Sequence, residues 1–210
     1  MTHRTIRQTG TGQAFATPDT VVAQVGVQVR ADDVATAFTG AGEAARAVVA
    51  AVRAAGVAPA DVATADLTLQ AVETGPWEDR RLEGYTAGES LTVTVRDTAG
   101  AAAVLQAAAT AAGDAARISS VTFTLSDGAA PAARAREAAF ADARARAEQY
   151  ARLSGNALGA VLSITDEAPA APRPEVMLAA RAGGGPSAGP ALEAGRQTIT
   201  ARVTVEWELA

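Results

Sequence analysis

The sequence predicts an α+β fold: a largely antiparallel (mixed) β-sheet covered by about three helices, with a long Pro/Ala/Gly-rich loop before the last strand. Three observations carry this. Segments in which apolar and polar residues alternate with period two recur along the chain. Three stretches place apolar residues at helical spacing, and each closes on a glycine, Gly56, Gly113 or Gly155. The cleanest alternation comes last, after an unpatterned stretch, so the final strand must pair with strands made much earlier.

The elements follow in order. Residues 4–15 are threonine-rich and glycine-broken and fit an edge strand. Thr17-Pro18-Asp19-Thr20 reads as a turn, because proline pre-sets φ for the first central position. Val21, Ala23, Val25, Val27 and Val29 then alternate with Gln24, Gly26, Gln28 and Arg30, a strand with one buried face. Asp32 or Asp33 caps a helix whose stripe is Val34, Phe38, Ala41, Ala45, Val48, Val49 and Val52. A short strand at Leu67, Leu69 and Ala71 leads to a charged loop over residues 73–83, and Leu91, Val93 and Val95 mark the next strand.

Asp97 or Thr98 caps a second helix with Val104, Leu105 and Ala108 inside. Val121, Phe123 and Leu125 make a strand. Ser126 or Asp127, with Pro131 just after, opens the longest helix, which runs to about Ser154 with a core stripe of Phe140, Ala143, Ala147 and Tyr150. Val161 to Ile164 is a short strand. Residues 168–195 are rich in Ala, Pro and Gly and read as a mobile loop. In the last strand Ile199, Ala201, Val203, Val205, Trp207 and Leu209 share one face. The loop is an excursion within one domain, residues 1–210, rather than a linker between two.

Composition bounds the chemistry. The chain has 210 residues and a net charge of −5, with no basic bias toward nucleic acid. All 18 basic residues are arginine. Without lysine there is no P-loop, no Schiff base and no Ser–Lys pair. Without cysteine there is no thiol chemistry or thiolate-bound zinc. The one histidine, His3, lies in the first few residues, a poor place for a general base. No cofactor is implied. No apolar run reaches the length of a signal peptide or a membrane span, which sets the expectation of a cytoplasmic protein.

Several motifs together carry a family resemblance. They are Thr9-Gly10-Thr11-Gly12 leading to Pro18-Asp19-Thr20, then Gly56 with Asp61-Val62 and Leu67-Thr68-Leu69. Gly84-Tyr85-Thr86-Ala87 runs into the segment from Leu91 to Asp97, and Ile118 to Asp127 follows. The segment from Ala141 to Glu148, Leu158-Gly159 with the strand after it, and the last strand complete the set. In this order the chain resembles the SIMPL domain (DUF541) family, which includes YggE-like proteins and a Brucella outer-membrane immunogen. The resemblance implies a homo-oligomer, ring-like or channel-like in some relatives. It also implies links to the bacterial envelope or to stress tolerance, and no established enzymatic activity. Many relatives carry an export signal, and this sequence shows none.

The candidate sites are few. Gly10-Thr11-Gly12 sits within a predicted strand, so a bulge or close backbone approach fits better than a phosphate-binding turn, which opens a helix. Arg134, Arg136, Arg144, Arg146 and Arg152 on the long helix form either a partner face or a solvated one. Asp142 with Arg146 and Glu148 with Arg152 are spaced for pairing along it. Trp77, in a charged loop, is either an assembly anchor or a cover over the sheet. Met177 and Leu178 in the long loop are either candidate assembly contacts that order on association or part of a loop that stays unordered in a monomer. Glu206 and Glu208 on one strand face are the only carboxylate pair to nominate for acid–base work. Three function classes follow: a self-assembling protein without catalysis, a monomeric or dimeric adaptor holding a protein or small-molecule partner near Trp77, and a carboxylate-only hydrolase.

Overall fold

The structure is a computed structural model that describes residues 4–76, 78–167, 173–174 and 192–210. In chain order the elements are β1 (Thr5–Ala16), β2 (Thr20–Ala31), α1 (Val34–Ala54), a 3-10 turn (Pro59–Asp61), β3 (Val62–Thr74) and β4 (Arg81–Val95). They continue with α2 (Ala101–Ala112), a second 3-10 turn (Gly113–Ala115), β5 (Ala116–Thr124), α3 (Ala129–Leu153), β6 (Leu158–Glu167), β7 (Arg173–Pro174) and β8 (Gln197–Leu209). The α+β class expected from the sequence holds, and every strand pairing is antiparallel. The strands divide into two sheets, each in its own compact unit.

One unit is assembled from both ends of the chain and its middle. β8 lies at the centre of its sheet, with β1 along one side and β6 and β7 along the other. The β1–β8 register runs unbroken from Thr5 opposite Glu208 to Ala16 opposite Gln197. Ala201, Val203, Val205 and Trp207 of β8 are buried against α3, whose alanines fill the space, and the Phe140 ring meets Trp207 at 6.3 Å between centroids.

The other unit is a sheet of order β3-β4-β2-β5 with α1 and α2 over it. Val21, Ala23, Val25 and Val27 of β2 and Leu91, Val93 and Val95 of β4 pack under Val48 and Val52 of α1 and Val104, Leu105 and Ala108 of α2. Asp33 caps α1, its Oδ1 accepting the Thr36 N–H at 3.0 Å. Asp19 closes the unit where the chain enters and leaves it, accepting the Ser126 N–H and hydroxyl, each at 2.7 Å.

Four local expectations shift. The α1 stripe begins at Ala37, with Val34 and Phe38 on exposed positions. In α3 the buried stripe is Ala135, Ala139, Ala143, Ala147 and Ala151, and Tyr150 points to solvent. Gly100 and Gly128 are the N-caps of α2 and α3; Asp97 and Asp127 instead accept the Ala99 and Ala129 N–H groups. The charged loop shrinks, because β3 and β4 continue toward each other as a hairpin, with Thr74 opposite Arg81.

Candidate functional site

Gly10 and Gly12 are where α3 meets β1. A Cβ on Gly10 would overlap Ala139 O and Ala143 N and sit 2.9 Å from Ala143 Cβ. A Cβ on Gly12 would overlap Ala135 O and Ala139 N in the same way. Neither glycine has positive φ, so both are required by space and not by backbone conformation. The alanines at 135, 139 and 143 complete the fit: a larger side chain at any of them would hold the helix off the strand. The close-approach reading of Gly10-Thr11-Gly12 is therefore the correct one.

That approach lets α3 cover a sheet edge. Leu209 N donates to Arg4 O, so even-numbered residues of β1 face β8 and odd-numbered ones face outward. The outward Thr11 N–H donates to Asp142 Oδ2 at 2.9 Å, and Arg146 Nη1 donates to Thr9 O at 3.3 Å. Asp142 and Arg146 also pair with each other at 2.9 Å. Arg134 donates to Phe15 O at 3.5 Å. An unpaired strand edge is a template for another strand, and these three side chains occupy it.

The nominated residues separate accordingly. Arg134 serves the β1 edge. Arg144 pairs with Glu148 at 2.9 Å, so Glu148 is taken by Arg144 and not by Arg152 as its spacing suggested. Trp77, Met177 and Leu178 lie outside the described residues. Glu206 is held by Arg7 at 2.9 Å, and that guanidinium, helped by the Thr5 and Ser163 hydroxyls, keeps its carboxyl below the usual range. Such a group is a fixed anion at neutral pH and a poor proton donor. Among the described residues no three His, Asp or Glu side chains are placed to hold a metal ion.

Of the other edge strands, β3, β5 and β6, two carry exposed leucine, isoleucine and valine along most of their length. β3 is exposed along nearly its whole length, with Leu67 54% and Leu69 43% accessible. β6 is exposed from Ala160 to Glu167 and carries Val161, Leu162 and Ile164, the last 60% accessible. Asp66 takes the Leu67 N–H at 2.9 Å, but neither strand has a counterpart of the Asp142–Arg146 clamp among the described residues. The sequence marked both as short strands; nothing in it distinguished an edge from an interior strand. The clamp was hidden for a related reason, since Asp142 and Arg146 read as an ordinary pair along a helix.

No helix of the described residues is long and apolar enough to cross a membrane. No curated protein matches the chain. Residues 6–207 match the family described as SIMPL, a protein of unknown function (DUF541), and the chain belongs to that family.

Proposed function

We propose that this SIMPL-family protein acts without catalysis, by associating with further copies of itself through the exposed edges of β3 and β6. The observation that supports this is the contrast between edges within the chain. β1 is closed by α3 through Asp142, Arg146 and Arg134, whereas β3 and β6 present backbone edges flanked by Leu67, Leu69, Val161, Leu162 and Ile164. Apolar, unclamped edges favour strand addition, with main-chain hydrogen bonds supplying affinity and alternate side chains supplying register. The non-catalytic part of the reading is supported by the carboxylates: Asp19, Asp61, Glu83 and Glu206 each accept hydrogen bonds that keep them ionised. A cytoplasmic location and a part in stress tolerance or envelope upkeep go with this reading as proposals, to be tested by cell fractionation and by the phenotype of a deletion strain.

Light scattering coupled to size exclusion tests the association. The unaltered protein is expected to elute as a discrete multiple of its 21.0 kDa mass. Leu69→Lys and Ile164→Lys place a charge beside each edge and are expected to reduce that mass, while Arg136→Lys on α3 leaves it unchanged. A 21.0 kDa species at every concentration would remove the proposal.

A further inference from the structure

The helix layer over β4 leaves a groove beside α1. By spacing, Phe38, Gly42, Arg46, Val49 and Arg53 share one face of that helix. Gly42, Arg46, Val49 and Arg53, with Glu89 of β4, line an open cavity of about 450 Å³. Beyond Glu89 runs β3, with Leu67 directly across from Glu89 in the register. Leu69 stands opposite Ala87, which packs under Ala37 and Ala41 of α1, so Leu69 and Leu67 project on the helix side of the sheet. Phe38 is 47% accessible, and with Leu67 and Leu69 it leaves an apolar strip without cover.

The charges along this groove do not balance. Arg46 and Arg53 have no ion-pair partner among the described residues. Asp61, at the start of β3, is already held by Arg96 through two bonds of 2.8 and 2.7 Å. Glu89 lies at the floor, where it accepts the Thr64 hydroxyl at 3.2 Å. The result is two cations on the rim, one anion below and leucines alongside. Arg46 and Arg53 are two helical turns apart, about 10 Å along the axis.

We infer that this groove receives an acidic amphipathic helix of a partner protein. Two carboxylates seven residues apart meet Arg46 and Arg53, and leucines one turn beyond the carboxylate at Arg46 reach toward Leu67, Leu69 and Phe38. Helices pack with axes about 8–10 Å apart, which suits a helix lying alongside α1 above β3. Glu89 sets the register, because it repels a carboxylate placed deep in the groove and leaves that depth to neutral residues. The open side disfavours a small molecule, which an enclosed pocket would bury far more completely. Leu67 and Leu69 also flank the β3 edge proposed for self-association, whereas Arg46 and Arg53 belong to the groove alone, so the arginine variants separate the two readings.

The test is fluorescence anisotropy of the full chain with a labelled 18-residue helical probe. The probe carries Glu at two positions seven apart and Leu at the third and fourth positions outside that pair at each end, so that leucines fall beyond Arg46 in either helix direction; a matched probe carries Gln for Glu. The Glu probe is expected to bind about tenfold more tightly at low salt, the range of two partly shielded ion pairs. The Arg46→Gln, Arg53→Gln double variant is expected to erase that difference at unchanged thermal stability, and Arg136→Gln to preserve it. Equal binding of the two probes, or a difference that survives the double variant, would overturn the inference. So would competition in which decanoate saturates the groove, which would assign it to a small amphiphile. A double variant that changes the oligomer mass and not probe binding would assign the groove to a second copy, and that too would overturn it.

Discussion

Replacing Gly10 by alanine perturbs the α3–β1 contact and little else. The φ of Gly10 is one that alanine adopts freely, so the whole effect comes from the added methyl. That methyl overlaps Ala139 O and Ala143 N, which are helix backbone and cannot turn aside as a flexible side chain would. α3 must lift, at about 1–3 kcal/mol for overpacking of this kind. Lifting also stretches the Thr11–Asp142 and Thr9–Arg146 bonds, each worth about 0.5–1.5 kcal/mol. Restricting the unfolded chain returns about 0.4–1 kcal/mol. The net loss is about 2–4 kcal/mol, which moves a urea midpoint down by about 1–2 M at a slope near 2 kcal/mol/M. The assay is urea unfolding followed by circular dichroism and by Trp207 fluorescence in a Trp77→Phe background. Gly42→Ala is the control: its methyl meets only Arg46 Nη1, at 3.6 Å, and should stabilise α1 by about 1 kcal/mol. An unchanged midpoint for Gly10→Ala would refute the claim that backbone proximity is what requires the glycine.

Other consequences are as direct. Trp207 is 2% exposed against Phe140 and the α3 alanines, so Trp207→Ala should cost about 3–5 kcal/mol in urea unfolding followed by circular dichroism. Asp19, Asp33, Asp61, Glu83 and Glu206 all have folded pKa values below their unfolded ones. Their contribution is therefore complete above about pH 5 and lost as pH falls through the lowered values, so stability should fall steadily below about pH 4. Asp19→Asn should flatten part of that acid limb, and an acid limb identical to that of the unaltered protein would show that the Ser126 bonds contribute nothing. Asp19 and Ser126 tie together the entry and exit of the second unit, so the fragment 19–126 should show cooperative thermal unfolding by circular dichroism. A disordered fragment would instead support a single domain over residues 1–210.

The parts of this fold that the sequence reveals are those where one face of an element is buried. β2 and β8 alternate cleanly because valines alternate with polar residues on a half-covered sheet. Asp33 as a cap and Gly56, Gly113 and Gly155 near helix ends were legible because their geometry is local. The long-range arrangement was legible only in outline: the last strand was expected to pair with strands made much earlier, and β8 does pair with β1. The pairing of β1 with β8 joins residues about two hundred positions apart, and no local pattern records which strands share a sheet. In α3 the expected stripe holds at Ala143 and Ala147, and Phe140 packs against Trp207; only Tyr150, at the edge of that stripe, faces solvent. Beyond Pro131 the remaining buried positions are alanine, since Gly10 and Gly12 leave room for nothing larger at 135, 139 and 143. Of the nominated contacts, Arg134 and Arg144 turned out to serve their own unit, Arg134 on the β1 edge and Arg144 on Glu148. The groove beside α1 was invisible because Arg46 and Arg53 look like any solvated pair until Leu67 and Leu69 are placed across from them.

The central claim is that exposed β3 and β6 edges join copies of this chain, and amide hydrogen exchange at two protein concentrations tests it most directly. On concentration, amides of residues 66–72 and 160–167 should slow markedly, while those of residues 9–15, already covered by α3, should not change. Fast exchange at β3 and β6 in protein that scatters as a multimer, or at both concentrations in protein that scatters as a monomer, would contradict the claim.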